Sequence, residues 1–214
     1  MLKSDITMYK LYWSKETGAL APQAALEEAG AEYEIILTDT QSGGHQSAEF
    51  LALNPRGQVP TLILPDGSVM TESAAMMLHI ADAFPQAKLV PPLGDAKRAQ
   101  VYRWMFFAAV NFYETDLRYY YSERYTTNEN GAEGVKVAAL HDFDSYWDML
   151  EPVIGKGPCL LGNTYSIVDI YLTMLAYWHP DVDALFARCP SVTNLCDAVK
   201  ARPAFDRVWR QHYA

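Results

Sequence analysis

The pattern of apolar residues changes once along this chain, near residue 85, and that change constrains the fold more than any other feature. Before it, short β-rich runs alternate with helical patterns; after it, only helical patterns follow. Prolines and a glycine within 86–94 are typical of a linker. Strands and helices followed by helices alone predict two domains. We expect an α/β domain at 1–85, a linker at 86–94 and an all-helical domain at 95–214.

The first region reads as β-α-β, a connecting segment with one short helix, and then β-β-α. Asp66-Gly67 predicts a hairpin turn between the last two strands, and Gly30 marks the end of the first helix. The predicted strands are 7–13, 33–37, 61–64 and 68–70, and the predicted helices of this region are 19–29 and 72–84.

The second region has no convincing strand. Its central segment, 166–178, is apolar on nearly all sides and predicts a buried helix. The other predicted helices are 95–124, 132–154, 191–201 and 203–212.

Composition and charge exclude several classes of function. Asp and Glu total 26 against 17 Lys and Arg, a formal net charge of −9. Such a surface repels polyanions and no basic cluster interrupts it, so we expect no nucleic-acid partner. The sequence contains no uninterrupted run of about 18 apolar residues, the length that a membrane-spanning helix requires. The opening segment, MLKSDITMYK, lacks the apolar stretch of a signal peptide. We therefore expect a cytoplasmic protein with no membrane association.

The cysteines and histidines form no metal-binding pattern. Cys159, Cys189 and Cys196 are scattered and lack CxxC spacing, which argues against both a disulfide framework and a zinc site. The five histidines show no HExxH-type pairing. We expect no metal.

The segment NPRGQVPTL, residues 54–62, carries the first candidate site. A proline in the first position of a strand removes only one ladder donor, and X-Pro bonds are the usual place for a cis peptide. A cis Val59-Pro60 bond would leave the backbone of Val59 free to pair with an extended peptide. The alternative is an ordinary loop that enters a strand.

Glu72-Ser73 opens the next predicted helix and is the second candidate. A helix N-terminus presents free N–H groups to an anion. The Ser73 hydroxyl suits a carboxylate, and the Glu72 carboxylate suits an ammonium group. Alternatively, Glu72 complements the helix dipole and Ser73 helps to cap the helix.

Taken together, NPRGQVPTL, PDG and TESAAMMLHIAD resemble the glutathione-binding half of the cytosolic glutathione transferases. The opening KLYWSKETGALAPQAALEEAG is similar to the bacterial, beta-like branch of that family. Ser166-Ile-Val-Asp169 resembles the family's buried N-capping box. The resemblance spans essentially the whole chain. It implies a thioredoxin-like N-terminal domain followed by an all-α C-terminal domain.

The resemblance also implies glutathione as co-substrate and assigns residues to bind it. The backbone beside the cis proline, Val59-Pro60, would pair with the cysteinyl residue, and Glu72 and Ser73 would hold the γ-glutamyl end. Three further residues are candidates for the two ends of glutathione: Gln58 for the γ-glutamyl end, and His45 and Gln46 for the glycyl carboxylate.

The chain departs from the pattern where the thiol is activated. The bacterial branch places a Cys three residues before an Ala-Pro pair, and that position is Gly18 here. A thiol with a pKa near ~8.5 needs a hydrogen-bond donor or a helix N-terminus to ionise at neutral pH. We rank the nearby hydroxyl groups in the order Ser14, Thr17 and Tyr12. Backbone N–H groups at Thr17 or Gly18 are an alternative.

The resemblance further implies a small hydrophobic electrophile, bound between the domains, and a homodimer. Phe106, Tyr113 and Tyr120 are seven residues apart along one predicted helix and are our candidates for the electrophile pocket. We expect conjugation of glutathione or reduction of peroxides. A non-catalytic protein that binds glutathione or an apolar ligand is the alternative, and an interaction module is the weaker third possibility.

Overall fold

The computed structural model describes residues 8–214, so Thr7, where the first strand was predicted to begin, lies outside the described residues. The chain forms two compact units. One extends to Val90 and resumes at Lys200–Ala214, and the other is Pro91–Val199.

The first unit contains a four-stranded mixed sheet in the order β2-β1-β3-β4. β1 pairs in parallel with β2 and antiparallel with β3, and β3 pairs antiparallel with β4. This is the α/β, thioredoxin-like domain that the sequence predicts. Its elements are β1 (Tyr9–Trp13), α1 (Leu20–Ala29), β2 (Tyr33–Leu37), α2 (Ala48–Leu53), β3 (Thr61–Ile63), β4 (Val69–Met70), α3 (Ser73–Ala83) and, at the end of the chain, α10 (Pro203–Tyr213).

Helices α1 and α3 contact each other and provide much of the core of this unit. Leu20 and Leu26 of α1, and Met76 and Ile80 of α3, are fully buried. Each such side chain contributes about 1.5–3 kcal/mol when it leaves water. Gly30 ends α1 in the left-handed conformation, as its position predicts.

Helix α10 packs on α1 rather than with the helices before it, which differs from the domain boundary expected from sequence. Phe205 and Val208 form its buried apolar stripe. Arg202 donates two hydrogen bonds of 2.7 Å to the Glu28 carboxylate of α1. The amphipathic pattern predicts that one face of α10 is buried, but it does not predict which surface covers that face.

The second unit is helical, as expected. Ser122–Tyr125 form a short 3₁₀ turn after the first long helix. That helix was predicted as continuous, but a π-helical segment, Ala108–Tyr113, interrupts it. A short helix, α8, was not predicted. The helices are α4 (Ala96–Phe107), α5 (Glu114–Tyr120), α6 (Ala132–Ile154), α7 (Ile167–Tyr177), α8 (Val182–Arg188) and α9 (Pro190–Lys200).

Within residues 8–214, no helix is both long and apolar enough to cross a membrane. In the same range, no group of three or more His, Cys, Asp and Glu side chains is placed to hold a metal ion.

Candidate functional site

The sheet register brings the three predicted segments of the binding site to one end of the sheet. Tyr12 pairs with Thr61, so continuing the antiparallel register places Val59 beside Ser14. Leu62 pairs with Met70, so the same step places Glu72 beside Pro60. The end of β1, the start of β3 and the start of α3 therefore meet at the same end of the sheet.

A buried asparagine braces the loop before β3. Asn54 donates from Nδ2 to the Gln58 carbonyl at 2.8 Å and to Thr61 Oγ1 at 3.1 Å. Its Oδ1 accepts from the Arg56 backbone N–H at 3.1 Å, and its carbonyl accepts from Gly57 N–H at 2.9 Å. Four hydrogen bonds to one residue fix the backbone on both sides of Val59.

The Val59-Pro60 peptide bond is cis. Val59 is half-buried and lies outside the regular strand. Among the described residues, no backbone hydrogen bond involves its N–H or its carbonyl. Val59 thus presents one donor and one acceptor in the arrangement that an added extended peptide requires.

Glu72 has an unusual backbone conformation, with φ 66° and ψ 100°, directly before α3. A non-glycine residue there costs on the order of 1–3 kcal/mol, and such strain concentrates at functional sites. The carboxylate does not cap the helix. Its Oε1 lies 3.1 Å from Arg56 Nη1 in an ion pair that is about two-thirds exposed on each side. The carboxylate is therefore open to a ligand ammonium group.

Ser73 begins α3, a helix of 11 residues, and is buried at 8% exposure. The first N–H groups of a helix have no acceptor within the helix. Glu72 and Ser73 thus combine a negative side chain with a positive helix end, which suits a zwitterionic α-amino acid group.

The turn that carries His45 and Gln46 lies against the same loop. Gln46 Nε2 is 3.5 Å from the Gly57 carbonyl, and a Cβ on Gly57 would lie only 2.5 Å from that nitrogen. Nδ1 of His45 is buried and lacks a hydrogen-bond partner among the described residues. The Gln46 side chain and the His45 backbone carbonyl therefore lie against Gly57, next to Gln58 in the chain.

The three predicted thiol activators differ in how free their hydroxyl groups are. Ser14 is 8% exposed and its Oγ lies 3.1 Å from Thr40 Oγ1. One hydroxyl of this pair donates to the other, so one proton remains available. Thr17 Oγ1 donates to the Ser14 carbonyl at 2.8 Å and accepts from Ala19 N–H at 3.3 Å, so its proton is already used.

Tyr12 and Gly18 represent the remaining alternatives. The Tyr12 ring packs edge-on against Phe50 of α2, with ring centroids 5.5 Å apart. Trp13, the next residue of β1, lies on the opposite face of the sheet. Gly18 is buried, and the hydrogen bonds of the described residues give its N–H no acceptor. That N–H and the Ser14 hydroxyl are the groups in this segment best able to donate to a sulfur.

In the second unit, Tyr113 and Tyr120 both contact Trp178, whereas Phe106 is largely exposed. The Tyr113 ring lies edge-on to Trp178 at 5.4 Å, and Tyr120 donates to the Trp178 carbonyl at 2.9 Å. Phe106 is 63% exposed. The π-helical segment falls between Phe106 and Tyr113, so its wider turns change the angular spacing on which the prediction relied.

Asp116 lies on the helix face of Tyr113 and Tyr120 and was not predicted. It is 6% exposed, and its Oδ1 has no partner among the described atoms. Burial raises the pKa of Asp116 to about 8. The carboxyl group is therefore largely protonated at neutral pH and can donate a hydrogen bond on this face.

Ser166 and Asp169 form a capping box at the start of α7. Asp169 accepts hydrogen bonds of 2.7 Å from the backbone N–H groups of Ser166 and Leu160. Burial raises the pKa of Asp169 to about 6, although these hydrogen bonds act in the opposite direction. The pair therefore has a structural role at the start of a buried helix.

Several residues of the site were not found from the sequence. The asparagine before Pro55 was the most accessible of them, because Asn commonly bonds to backbone groups two residues on. The others depend on contacts distant in sequence and leave no local pattern. The missed residues are Thr40, Asn54, Arg56, Thr61 and Asp116.

The chain is similar to known glutathione S-transferases. Residues 19–83 match the family model of the glutathione S-transferase N-terminal domain. The chain is 28% identical over 208 residues to the GST-like protein YncG of Escherichia coli (strain K12), covering 96% of this chain and 98% of that protein. It is 28% identical over 189 residues to glutathione S-transferase 3 of Zea mays, covering 85% of this chain and 84% of that protein.

A solved structure supports the same assignment. The glutathione transferase homolog from Sulfitobacter, with bound glutathione, has a TM-score of 0.87 and 26% identity, covering 97% of this chain and 100% of that one. The order of the strands and the candidate site at the end of the sheet are consistent with these similarities. Residues 19–83 therefore form a glutathione S-transferase N-terminal domain, in a chain that is similar to glutathione S-transferases over nearly its whole length.

Proposed function

We propose that the protein binds glutathione at this end of its sheet and activates the thiol for attack on an apolar electrophile. The proposal is supported chiefly by the position of Val59, whose backbone has no hydrogen bond among residues 8–214, beside Glu72 and Ser73. A γ-glutamyl group has one ammonium and one carboxylate. The Glu72 carboxylate suits the ammonium group, and Ser73 with the N-terminus of α3 suits the carboxylate. The glutathione bound in the Sulfitobacter homolog supports the choice of ligand.

The roles follow the chemistry of the tripeptide. The cysteinyl residue pairs with the N–H and carbonyl of Val59. The γ-glutamyl ammonium binds the Glu72 carboxylate, and its carboxylate binds Ser73 and the N-terminus of α3. Gln58 adds a contact at this end. His45 and Gln46 hold the glycyl carboxylate.

This placement directs the sulfur towards the end of β1. The Ser14 hydroxyl and the Gly18 N–H donate to it, which lowers the thiol pKa and raises the thiolate fraction. Holding the thiolate next to an electrophile removes much of the entropic barrier of a two-body reaction. Tyr113 and Tyr120 contact the electrophile, which is a small apolar molecule.

The proposal includes a homodimer in the cytoplasm. The free thiols of Cys159, Cys189 and Cys196, all buried, fit a reducing compartment. A two-fold dimer is the commonest assembly of soluble proteins. Sedimentation at several protein concentrations tests it, and a mass of one chain throughout would contradict it.

A second candidate is a protein that binds glutathione without turnover. Gly18 stands where the bacterial branch places its cysteine, and the Ser14 hydroxyl is already paired with Thr40. Retention on immobilised glutathione without conjugation of a model aryl halide would favour this candidate.

The test of activation is an absorbance titration of the thiolate of bound glutathione, in the parent protein and in Ser14→Ala. Thr17→Ala and the exposed hairpin variant Ser68→Ala are the matched comparisons. We expect Ser14→Ala to raise the thiol pKa by about one unit, as expected for loss of one hydrogen bond to an ionised group. Thr17→Ala and Ser68→Ala should leave it nearly unchanged. A shift in Thr17→Ala alone would reverse our ranking, and no shift in either would favour the backbone N–H of Gly18.

A further inference from the structure

His212, near the end of α10, contacts the segment between β1 and α1 that contains the proposed thiol activators. His212 is fully buried, and its imidazole lies 4.7 Å from the Trp13 indole, centroid to centroid. Its Nδ1 accepts a hydrogen bond of 3.2 Å from the backbone N–H of Glu16. One side chain therefore contacts the residues on both sides of Ser14 and Lys15.

The partners of its two ring nitrogens determine the tautomer of His212. Both nitrogens face an N–H group that can only donate, Glu16 N–H at Nδ1 and the Trp13 indole N–H at Nε2. The indole has a second acceptor in Gln23 Oε1, whereas the hydrogen bonds of the described residues give the Glu16 N–H no other acceptor, so we assign Nδ1 as the unprotonated nitrogen. Nε2 then carries the proton and donates to Gln23 Oε1 at 3.1 Å. The Trp13 indole N–H donates to the same oxygen at 2.7 Å. The Trp13 indole N–H also lies 2.7 Å from Nε2, to which it donates in the other tautomer.

The surroundings keep the imidazole neutral and oriented. Burial, with a smaller effect from the charge of Lys15, lowers the pKa of His212 to about 4. Gln23 is fully buried and donates to Gln211 Oε1 at 2.5 Å, which fixes the orientation of its amide. Nδ1 is therefore a hydrogen-bond acceptor throughout the neutral pH range.

The backbone of Glu16 depends on this contact. Its φ of 54° lies in the left-handed region, which is costly for a residue with a side chain. The Glu16 side chain is exposed, so the restraint on this residue acts through its backbone. If the N–H lost its acceptor, the segment would be free to relax, and Ser14 and Gly18 would move with it.

We propose that His212 is a positioning residue, which sets the β1–α1 segment so that Ser14 and Gly18 face the sulfur of bound glutathione. This inference rests on the proposed function. It adds a requirement for a side chain from the last helix, nearly 200 residues away in sequence. His212 acts through the Glu16 backbone and does not itself contact glutathione.

The test compares His212→Asn with His212→Leu, two variants of nearly equal size. Asn retains an oxygen acceptor close to the position of Nδ1, whereas Leu has none. Two quantities are measured: amide hydrogen exchange of Glu16 without ligand, and the thiol pKa of bound glutathione. We expect His212→Leu to speed Glu16 exchange at least tenfold and to raise the thiol pKa by about one unit. Affinity for glutathione should change less than about threefold, since Val59, Glu72 and Ser73 are untouched. His212→Asn should remain close to the parent.

Two further variants keep the test decisive. Arg202→Gln removes the ion pair of α10 with Glu28 and should lower stability without a change in the thiol pKa. His212→Gln keeps a polar side chain but moves the acceptor away from Glu16, and it replaces His212→Leu if that variant does not fold.

Equal behaviour of the Asn variant and the variant without an acceptor would overturn the inference, as would an equal pKa change in Arg202→Gln. A parent protein that binds no glutathione would refute the proposed function alone. Glu16 exchange would then still decide whether His212 sets the segment.

Discussion

At the residue scale, the site depends on a few side chains whose conformations are costly or whose partners are missing. Glu72 combines a positive φ with an exposed carboxylate that forms an ion pair with Arg56. Strain of this kind persists when the surrounding structure imposes it, and it commonly has a functional reason. Here the conformation places a negative charge at the N-terminus of α3.

Two substitutions separate the charge of Glu72 from its backbone strain. Glu72→Gln keeps the side-chain size and should weaken glutathione binding about tenfold, near 1.4 kcal/mol, by loss of a charged hydrogen bond. Glu72→Gly should weaken binding similarly and raise the free energy of unfolding by about 1 kcal/mol, because glycine adopts positive φ without strain. Isothermal titration and urea unfolding measure the two quantities.

Glu34→Gln is the control for Glu72, since Glu34 is also exposed and ion-paired, to Lys10 on the sheet. It should leave affinity for glutathione unchanged. Equal affinities of the parent and Glu72→Gln would remove Glu72 from the site.

Asn54 provides the second prediction at this scale. Asn54→Ala removes the two hydrogen bonds that Nδ2 donates, to the Gln58 carbonyl and to Thr61 Oγ1, and the one that Oδ1 accepts from Arg56 N–H, which together cost about 1–3 kcal/mol. We expect lower stability and weaker glutathione binding, because the loop that presents Val59 loses its brace. Thermal unfolding and a binding titration measure the two effects. Full affinity in a destabilised variant would show that the brace supports only the fold.

At the scale of elements, regular patterns were predictable and irregular ones were not. The strand Tyr33–Leu37 and the helix Ala132–Ile154 begin and end at the predicted residues, because hydrophobic periodicity and glycine mark their limits. The π-helical segment 108–113 was missed, since one wider turn leaves the composition of a helix unchanged. Helix α8 was missed because seven residues are too few for a clear period.

The candidate site was partly predictable for the same reason. The segments around Val59 and Glu72 carry local signals, namely a proline at a strand start and an acidic residue at a helix start. The braces, Asn54 and His212, act through contacts that fold the chain back on itself. His212 in particular lies on an element whose packing partner the sequence does not indicate.

The His212 network predicts a sensitivity to acid. The pKa of His212 in the folded protein, about 4, lies below the ordinary value near ~6.5. The unfolded chain therefore binds more protons between these values, and stability falls as the pH drops from about 6.5 to about 4, by roughly 3 kcal/mol. The charged groups that face His212 are Lys15 and Glu16. Urea unfolding at pH 7 and pH 5 should show a smaller loss in His212→Asn than in the parent, and equal losses would contradict the prediction.

Asp116 predicts the opposite dependence. Its pKa in the folded protein, about 8, lies above the ordinary value near ~3.9. The folded protein therefore binds more protons between these values, and the stability associated with the neutral carboxyl group is lost as the pH rises from about 4 to 8. Asp116→Asn should raise the free energy of unfolding by about 5 kcal/mol at pH 9 and by little at pH 4. A gain of the same size at both values would show that ionisation is not the cause.

At the scale of the whole molecule, the unit that contains the candidate site combines residues up to Val90 with residues 200–214. Residues near the start supply the sheet and the proposed activators, and residues 200–214 return to the same unit. The similarity to glutathione S-transferases and the fold were predicted from sequence motifs in the right order. The assignment of the last helix did not, because an amphipathic helix can bury its apolar face on any complementary surface.

A crystal structure of the protein with glutathione would show whether the tripeptide binds at the end of the sheet formed by Val59, Glu72 and Ser73. We expect the cysteinyl backbone to pair with the N–H and carbonyl of Val59. We also expect the γ-glutamyl group to lie on Glu72 and Ser73, with the sulfur facing Ser14 and Gly18. Glutathione bound elsewhere, or bound here with its γ-glutamyl group away from the start of α3, would refute this binding mode.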